Sequence, residues 1–271
     1  MNRTAILTGV GIIVAGAALT ALVTPDAPPP HAANAQTSVA QTDQTDSPEI
    51  GQLSDAEFGA RVRSYLLENP EVIFEAAAVM EQRQQQMQSA NDSDLVSENS
   101  DAIFDDGHSW VGGNPDGDIT LVEFMDYRCG YCRRAFPEVE ELIASDDNIR
   151  VIIKEFPILG EDSVVAARFA IAAQQVLGAD AYKALHDAMM TYKGDLSTDG
   201  LTTLAETLEL DAEQITAHMD SDDVTAVIAA NRALGEKLQI SGTPTFIMQD
   251  QILRGYVPLD GMREIVADVR G

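Results

Sequence analysis

Two cysteines stand three residues apart in Cys129-Gly130-Tyr131-Cys132, and the 271-residue chain has no others. They follow the apolar run Ile119-Thr120-Leu121-Val122-Glu123-Phe124-Met125. This order reads as a buried strand that delivers two thiols to the first turn of a helix. Amide dipoles at a helix start favour a thiolate, and helix starts or nearby cations lower a cysteine pKa to roughly 3.5–7.5. Cys129, ahead of the helix body, is the better placed nucleophile. Cys132, one turn in on the same side, can resolve a mixed disulfide or close the pair. The chemistry indicated is dithiol-disulfide exchange. Arg128, Arg133 and Arg134 crowd this spot, either to stabilise a thiolate or simply as solvated surface.

Other uses of the spacing fit less well. Zinc needs two further ligands, and His31, His108, His186 and His218 have no paired spacing, so no metal site is expected. Haem attachment requires histidine after the second cysteine, where Arg133 stands. A structural disulfide closing so small a loop would add little entropy to stability. No cofactor is implied. The net charge of -27 argues against nucleic-acid binding, which depends on clustered Lys and Arg.

The elements that position the thiols follow from periodicity. Ile119 to Phe124 is expected as a strand, Tyr131 to Ala144 as a helix and Ile149 to Phe156 as a second strand. Thr245 to Met248 and Gln251 to Arg254 read as further strands, with a closing helix from Leu259 to Val269. An Ala-rich helical block at about 162–238 lies between the two halves as an insertion. The globular domain, 101–271, is thus a split α/β core.

Upstream the composition changes twice. Arg3 precedes an uncharged run from Ala5 to Val23, and a proline-rich stretch follows, which is the pattern of an export signal. Ala33-Asn34-Ala35 offers a cleavage site, so 1–35 is expected to be a signal peptide, with an uncleaved inner-membrane anchor as the alternative. Residues 36–53 lack large apolar side chains and read as a disordered linker. Helix signals begin with the capping pair Ser54 and Glu57 and a face of Phe58, Val62, Tyr65 and Leu66. Asn69-Pro70-Glu71 restarts the helix, with Asn69 as its cap. Leu66, Ile73, Met80 and Met87 then recur every seven residues, with Ala76 between them, as in a helical stalk that self-associates. The stalk is assigned to 54–88, and the polar stretch 89–100 is expected to be a linker.

A second chemical feature lies far downstream. In Ser241-Gly242-Thr243-Pro244-Thr245, a proline at the edge of a strand is a position where a cis peptide bond can be retained. Together with the C-x-x-C pair it makes the sequence resemble the thioredoxin superfamily and, within it, the DsbA-like proteins. The resemblance covers about residues 101–271 and rests on Glu123 through Cys132, Lys154-Glu155-Phe156-Pro157 and Gly242-Thr243-Pro244. It implies a thioredoxin-like α/β fold with an inserted helical domain, preceded here by the N-terminal helical stalk. Cys129 is then the nucleophile and Cys132 the resolving thiol, while Thr243, Pro244, Gly130 and Tyr131 line the substrate-docking surface. Glu123 falls where relatives carry a buried acid under the disulfide, either paired with Lys154 to relay the proton of Cys132 or held in an ordinary strand salt bridge. Gly130-Tyr131 departs from the Pro-His dipeptide of the strongest oxidases, so an extreme oxidising potential does not follow.

The stalk and the C-G-Y-C domain together resemble the ScsC-type, or suppressor-of-copper-sensitivity, branch and related DsbA-like outer-membrane antigens. That likeness implies a periplasmic disulfide isomerase or reductase, a homo-oligomer through 54–88. Its partners would be exported proteins with thiols or disulfides and a membrane redox partner that resets the site. The alternatives are a monomeric DsbA-like oxidase and, from a different class, a protein whose thiols capture a soft ion such as Cu(I).

Overall fold

The computed structural model describes residues 53–271. The expected export segment, its cleavage site and all but the last residue of the disordered linker lie outside the described residues. Two helices open the described chain, α1 (Asp55–Glu68) and α2 (Glu71–Glu98), followed by a short α3 (Ser100–Phe104). The capping pair forms as expected: Ser54 Oγ donates to Glu57 Oε2 at 2.7 Å, and the Ser54 backbone N–H donates to the same oxygen at 3.0 Å. Asn69 does not cap α2. Its side-chain amide turns back and donates to the Tyr65 carbonyl at 2.9 Å, satisfying the end of α1 instead.

The polar stretch expected as a linker is helical, because α2 runs unbroken to Glu98. Tertiary contacts hold it there. Asp92 and Val96 are buried, and Asp92 takes two hydrogen bonds, of 2.7 and 2.9 Å, from the Arg254 guanidinium. Earlier in α2 the apolar side chains face outward: Ile73, Phe74, Met80 and Met87 are all exposed.

Five strands form one sheet in the order β1-β3-β2-β4-β5, with β1 (Trp110–Gly113), β2 (Ile119–Met125), β3 (Ile149–Glu155), β4 (Thr245–Met248) and β5 (Gln251–Arg254). Only β2 and β3 are parallel; every other neighbouring pair is antiparallel. The central strands are nearly continuous apolar runs because both faces of the sheet are covered. One face carries Leu121, Met125, Val151, Ile153 and Phe246 against α4 (Gly130–Ser145) and α10 (Leu259–Arg270). The other carries Val122, Phe124, Ile152 and Ile247 and packs with Val96, Ile103 and Leu234.

The inserted block is helical as expected and consists of five helices: α5 (Glu161–Leu177), α6 (Ala179–Thr191), α7 (Thr198–Thr207), α8 (Ala212–His218) and α9 (Asp222–Lys237). Gly178, at φ 94°, separates α5 from α6 in a conformation that glycine adopts without penalty. Ser197, Asp211 and Ser221 cap the later three through their side-chain oxygens. No described helix is long and apolar enough to cross a membrane.

The sheet register corrects one expectation. Lys154 is the β3 partner of Phe124, not of Glu123, and partners in a parallel ladder point the same way. Glu123 and Lys154 therefore emerge on opposite faces, and the relay pair expected between them does not form. The Lys154 ammonium, fully buried, meets Asp106 Oδ2 at 2.5 Å and Ser109 Oγ at 3.3 Å. Burial pushes the Asp106 carboxyl upward, but the hydrogen bonds from Lys154 and Ser109 outweigh it and hold the pKa at about 2. A carboxyl depressed in the fold supports stability above its ordinary pKa and loses that support as pH falls through the folded value. Lys154→Met is expected to lower stability by about 3 kcal/mol at pH 7, measured by urea unfolding, while each folded molecule keeps its thiol-exchange rate. The wild-type protein should lose the contribution of this pair as pH drops from about 4 toward 2.

Candidate active site

The loop between β2 and α4 is tied down before the thiols begin. Asp126 is buried, and its carboxylate accepts from the backbone N–H groups of Arg128 at 2.8 Å, Ile158 at 2.9 Å and Leu159 at 3.1 Å. Its own carbonyl accepts from the Cys129 N–H at 3.0 Å. One aspartate thus joins the chain leading into the thiols to the loop after β3. Cys129 then occupies the N-cap position of α4, whose first turn carries no acidic residue, and Cys132 follows within that turn. Both cysteines are free and buried.

Across 114 residues of sequence, the loop before β4 meets the first thiol. The Thr243-Pro244 peptide bond is cis. Cys129 Sγ donates to the Thr243 carbonyl oxygen at 3.1 Å, while Thr243 Oγ1 is buried without a partner. The Pro244 carbonyl accepts from the Gly255 N–H at 2.9 Å, which fixes the loop to the end of β5. The expected docking residues Thr243 and Pro244 are therefore brought to Cys129. Gly130 faces open space, where an added Cβ would touch nothing. Tyr131 is 61% exposed, with its ring centroid 6.4 Å from that of Tyr256.

Beneath the thiols the site becomes apolar. Cys132 is fully buried, and burial, with the charge of Glu123 added, holds its thiol far above the ordinary cysteine range. Glu123 lies on the same face of the sheet, 4% exposed, with Oε1 lacking any partner. Burial first and the Glu140 carboxylate second push its pKa up to about 8. A buried acid of that strength can hold or release a proton near neutral pH. Lys154, on the far face, takes no part.

The arginines brace rather than point at sulfur. Arg133 Nε donates to the Tyr127 carbonyl at 2.7 Å, and its terminal nitrogen donates to the carbonyl of Tyr192. Arg128 donates to the Leu159 carbonyl at 3.2 Å and pairs with Asp162. Arg134 lies 4.4 Å over the Tyr256 ring.

Sequence reasoning assigned no role to Tyr127, Glu155, Tyr182 or His186, which form a buried polar cluster beside this site. Glu155 Oε1 accepts from Tyr127 Oη at 2.8 Å and from Tyr182 Oη at 2.7 Å. The available signal was an acid, Glu155, closing a strand whose middle, Val151 to Ile153, is apolar. Among the described residues no group of three or more His, Cys, Asp or Glu converges as a metal site requires.

Residues 120–267 match the family described as DSBA-like thioredoxin domain, and residues 55–86 match the Copper resistance protein ScsC N-terminal domain. A thioredoxin-like oxidoreductase from Silicibacter pomeroyi is 42% identical, with a TM-score of 0.59, covering 63% of this chain and 96% of that one. BcfH of Salmonella enterica Typhimurium is 27% identical, with a TM-score of 0.65, covering 80% of this chain and 96% of that one. Proteus mirabilis ScsC in a compact conformation is 28% identical, with a TM-score of 0.59, over 80% of this chain and 98% of that one. The chain spans about a quarter of the length of the curated antiporters it matches: the match to a Na(+)/H(+) antiporter of Salinispora arenicola is 31% identical over 58% of this chain but spans only 24% of the antiporter.

Proposed function

The chain belongs to the DSBA-like thioredoxin domain family, and from that premise we propose that it exchanges disulfides with exported proteins in the periplasm through Cys129 and Cys132. The observation that carries this reading is the Cys129 thiol seated 3.1 Å from the carbonyl of the cis Thr243-Pro244 bond. In this reading the Thr243-Pro244 loop is the edge beside which an extended client segment pairs, as the resemblance to DsbA-like proteins implies. Cys129, as a thiolate, attacks one sulfur of a client disulfide; the client S–S bond breaks, its other sulfur leaves as a thiolate, and a mixed disulfide remains. Cys132 then loses its proton to Glu123 Oε1, its sulfur attacks Cys129 Sγ, and the client thiolate departs. A membrane redox partner would return the pair to its working state.

Two substitutions separate the roles. Cys129→Ala should abolish exchange with a disulfide-bonded client. Cys132→Ala should instead accumulate client mixed disulfides, visible as higher-mass bands on non-reducing gels. Equal activity of either variant and the wild type would refute the reading.

The proton acceptor has its own signature. With Glu123 titrating at about 8, its base form, and hence the resolving step, should increase as pH rises through that value. Glu123→Gln should remove this limb and slow release of the client by about 100-fold, measured by stopped-flow release of a labelled client peptide between pH 6 and 9.

Isomerase or reductase action in a homo-oligomer is favoured over a monomeric oxidase by the stalk. Ile73, Met80 and Met87 stand exposed at heptad spacing on helices that match the ScsC N-terminal domain. Ile73→Glu combined with Met80→Glu, in the full chain, should lower the mass seen in sedimentation equilibrium to that of a monomer. It should also reduce refolding of a scrambled-disulfide substrate while leaving simple dithiol oxidation intact. A wild-type protein that sediments as a monomer would favour the oxidase instead.

A further inference from the structure

β3 carries a second carboxyl onto the thiol-bearing face of the sheet, and the exchange steps above make no use of it. Glu155 is 3% exposed. Two tyrosine hydroxyls donate to its Oε1, while Oε2 is buried with no partner. Tyr127 Oη also lies 3.0 Å from His186 Nδ1. Since the single Tyr127 proton goes to Glu155, the histidine N–H must donate to that hydroxyl. Tyr182 stacks between His186 and Trp110, so the cage is packed as well as bonded. Asn231 Nδ2 on α9 donates to the Glu155 carbonyl at 3.0 Å and fixes the backbone beneath.

A bare oxygen on a buried carboxyl is costly in either charge state. A glutamine there would accept both hydroxyls and carry no charge, so hydrogen bonding alone does not account for an acid. The groups around it also fail to neutralise it. Tyr127 and Tyr182 are neutral donors, Asn231 is neutral, and burial keeps His186 uncharged, with a pKa of about 3. Lys183 acts on His186 from the solvent side of α6 and is engaged by Glu140 and Asp187. The remaining charges acting on Glu155 are carboxylates, Asp126 and Glu123. Glu123 pairs with Ile153 in the β2–β3 register, and Glu155 lies two residues further along β3 on the same face. Two acids on adjacent strands in a dry core cannot both ionise cheaply.

We propose that Glu155 is a positioning acid that sets the charge of Glu123 and thereby governs when Cys132 can surrender its proton. This deepens the exchange reading above and rests on it. Burial pushes both carboxyls up to about 8, with the Glu123 carboxylate raising Glu155 further, and because such coupling is mutual the pair takes a first negative charge on one acid and resists the second. In the resolving step the Cys132 S–H bond breaks and the proton moves to ionised Glu123. The Cys132 sulfur bonds to Cys129, and the client leaves as a thiolate with the electrons of the broken S–S bond. Neutralising Glu155 should let Glu123 act at lower pH.

The test uses full-length protein with Cys129 joined by a disulfide to a fluorescent cysteine peptide, and follows peptide release against pH. Glu155→Gln should move the midpoint of release toward acid by about one pH unit. Glu155→Asp should restore it at least in part, and Glu155→Gln should have no effect when Glu123→Gln is already present. Tyr182→Phe, which removes one donor and keeps the cage shape, should give a smaller shift in the same direction and serves if Glu155→Gln does not fold. Superimposable profiles for wild type, Glu155→Gln and Tyr182→Phe in folded protein would overturn the role of Glu155 while leaving exchange intact. A wild type that releases no peptide at any pH would overturn the exchange reading and this proposal together.

Discussion

Side-chain alternation along two parallel strands buried on both faces is the constraint on which the site depends. Past their second residue β2 and β3 offer no solvent-facing side, so Glu123, Lys154 and Glu155 are buried, and parity decides what each meets. Glu123 and Glu155 fall on the face shared with Cys132. Lys154, one residue from Glu155, falls on the other, where Asp106 and Ser109 receive it. The result separates charges that would otherwise cancel. A cation is sequestered with its own carboxylate, and two acids are left beside the thiols without a counter-ion. Their carboxyls consequently stay near the protonated state, which gives the face a store of exchangeable protons.

Much of this was legible in the chain. Four of the five strands announced themselves as short apolar runs bounded by polar turns, β1 (Trp110–Gly113) being the exception, and the two cysteines and Thr243-Pro244, singled out from the chain, come together in the structure. The partnership of Glu123 and Lys154 was read from the family resemblance, and a likeness of short motifs carries no register. Only the alignment of Phe124 with Lys154 decides which way each side chain points. The tyrosine and histidine cage was equally hidden: Tyr127 lies in the loop after β2, Tyr182 and His186 lie one turn apart on α6, and each alone looks like an ordinary core residue. The residues after Ser89 read as a linker because a helix that buries only Asp92 and Val96 leaves almost no apolar periodicity to detect.

The three arginines around the thiols illustrate a related point. In a chain with a net charge of -27 they stand out by composition, yet their hydrogen bonds run to the carbonyls of Tyr127, Leu159 and Tyr192 and their stacking to Tyr256. Guanidinium groups suit this task because a rigid fork of donors can satisfy loop carbonyls that no helix or strand reaches. They hold the rim in shape, and their positive charge stays local to it.

The bidentate pair between Asp92 and Arg254 has a consequence for where the protein can be cut. Arg254 ends β5 opposite Thr245, the residue that follows the cis proline. A fragment beginning at residue 100 would retain every atom of the redox face. It would nonetheless strand that guanidinium and peel Val96 away from the cluster that contains Ile252. α2 is therefore one continuous helix from its exposed apolar stretch to the turns that pack on β5, and those last turns are foundation masonry for the loop of the cis proline rather than rope.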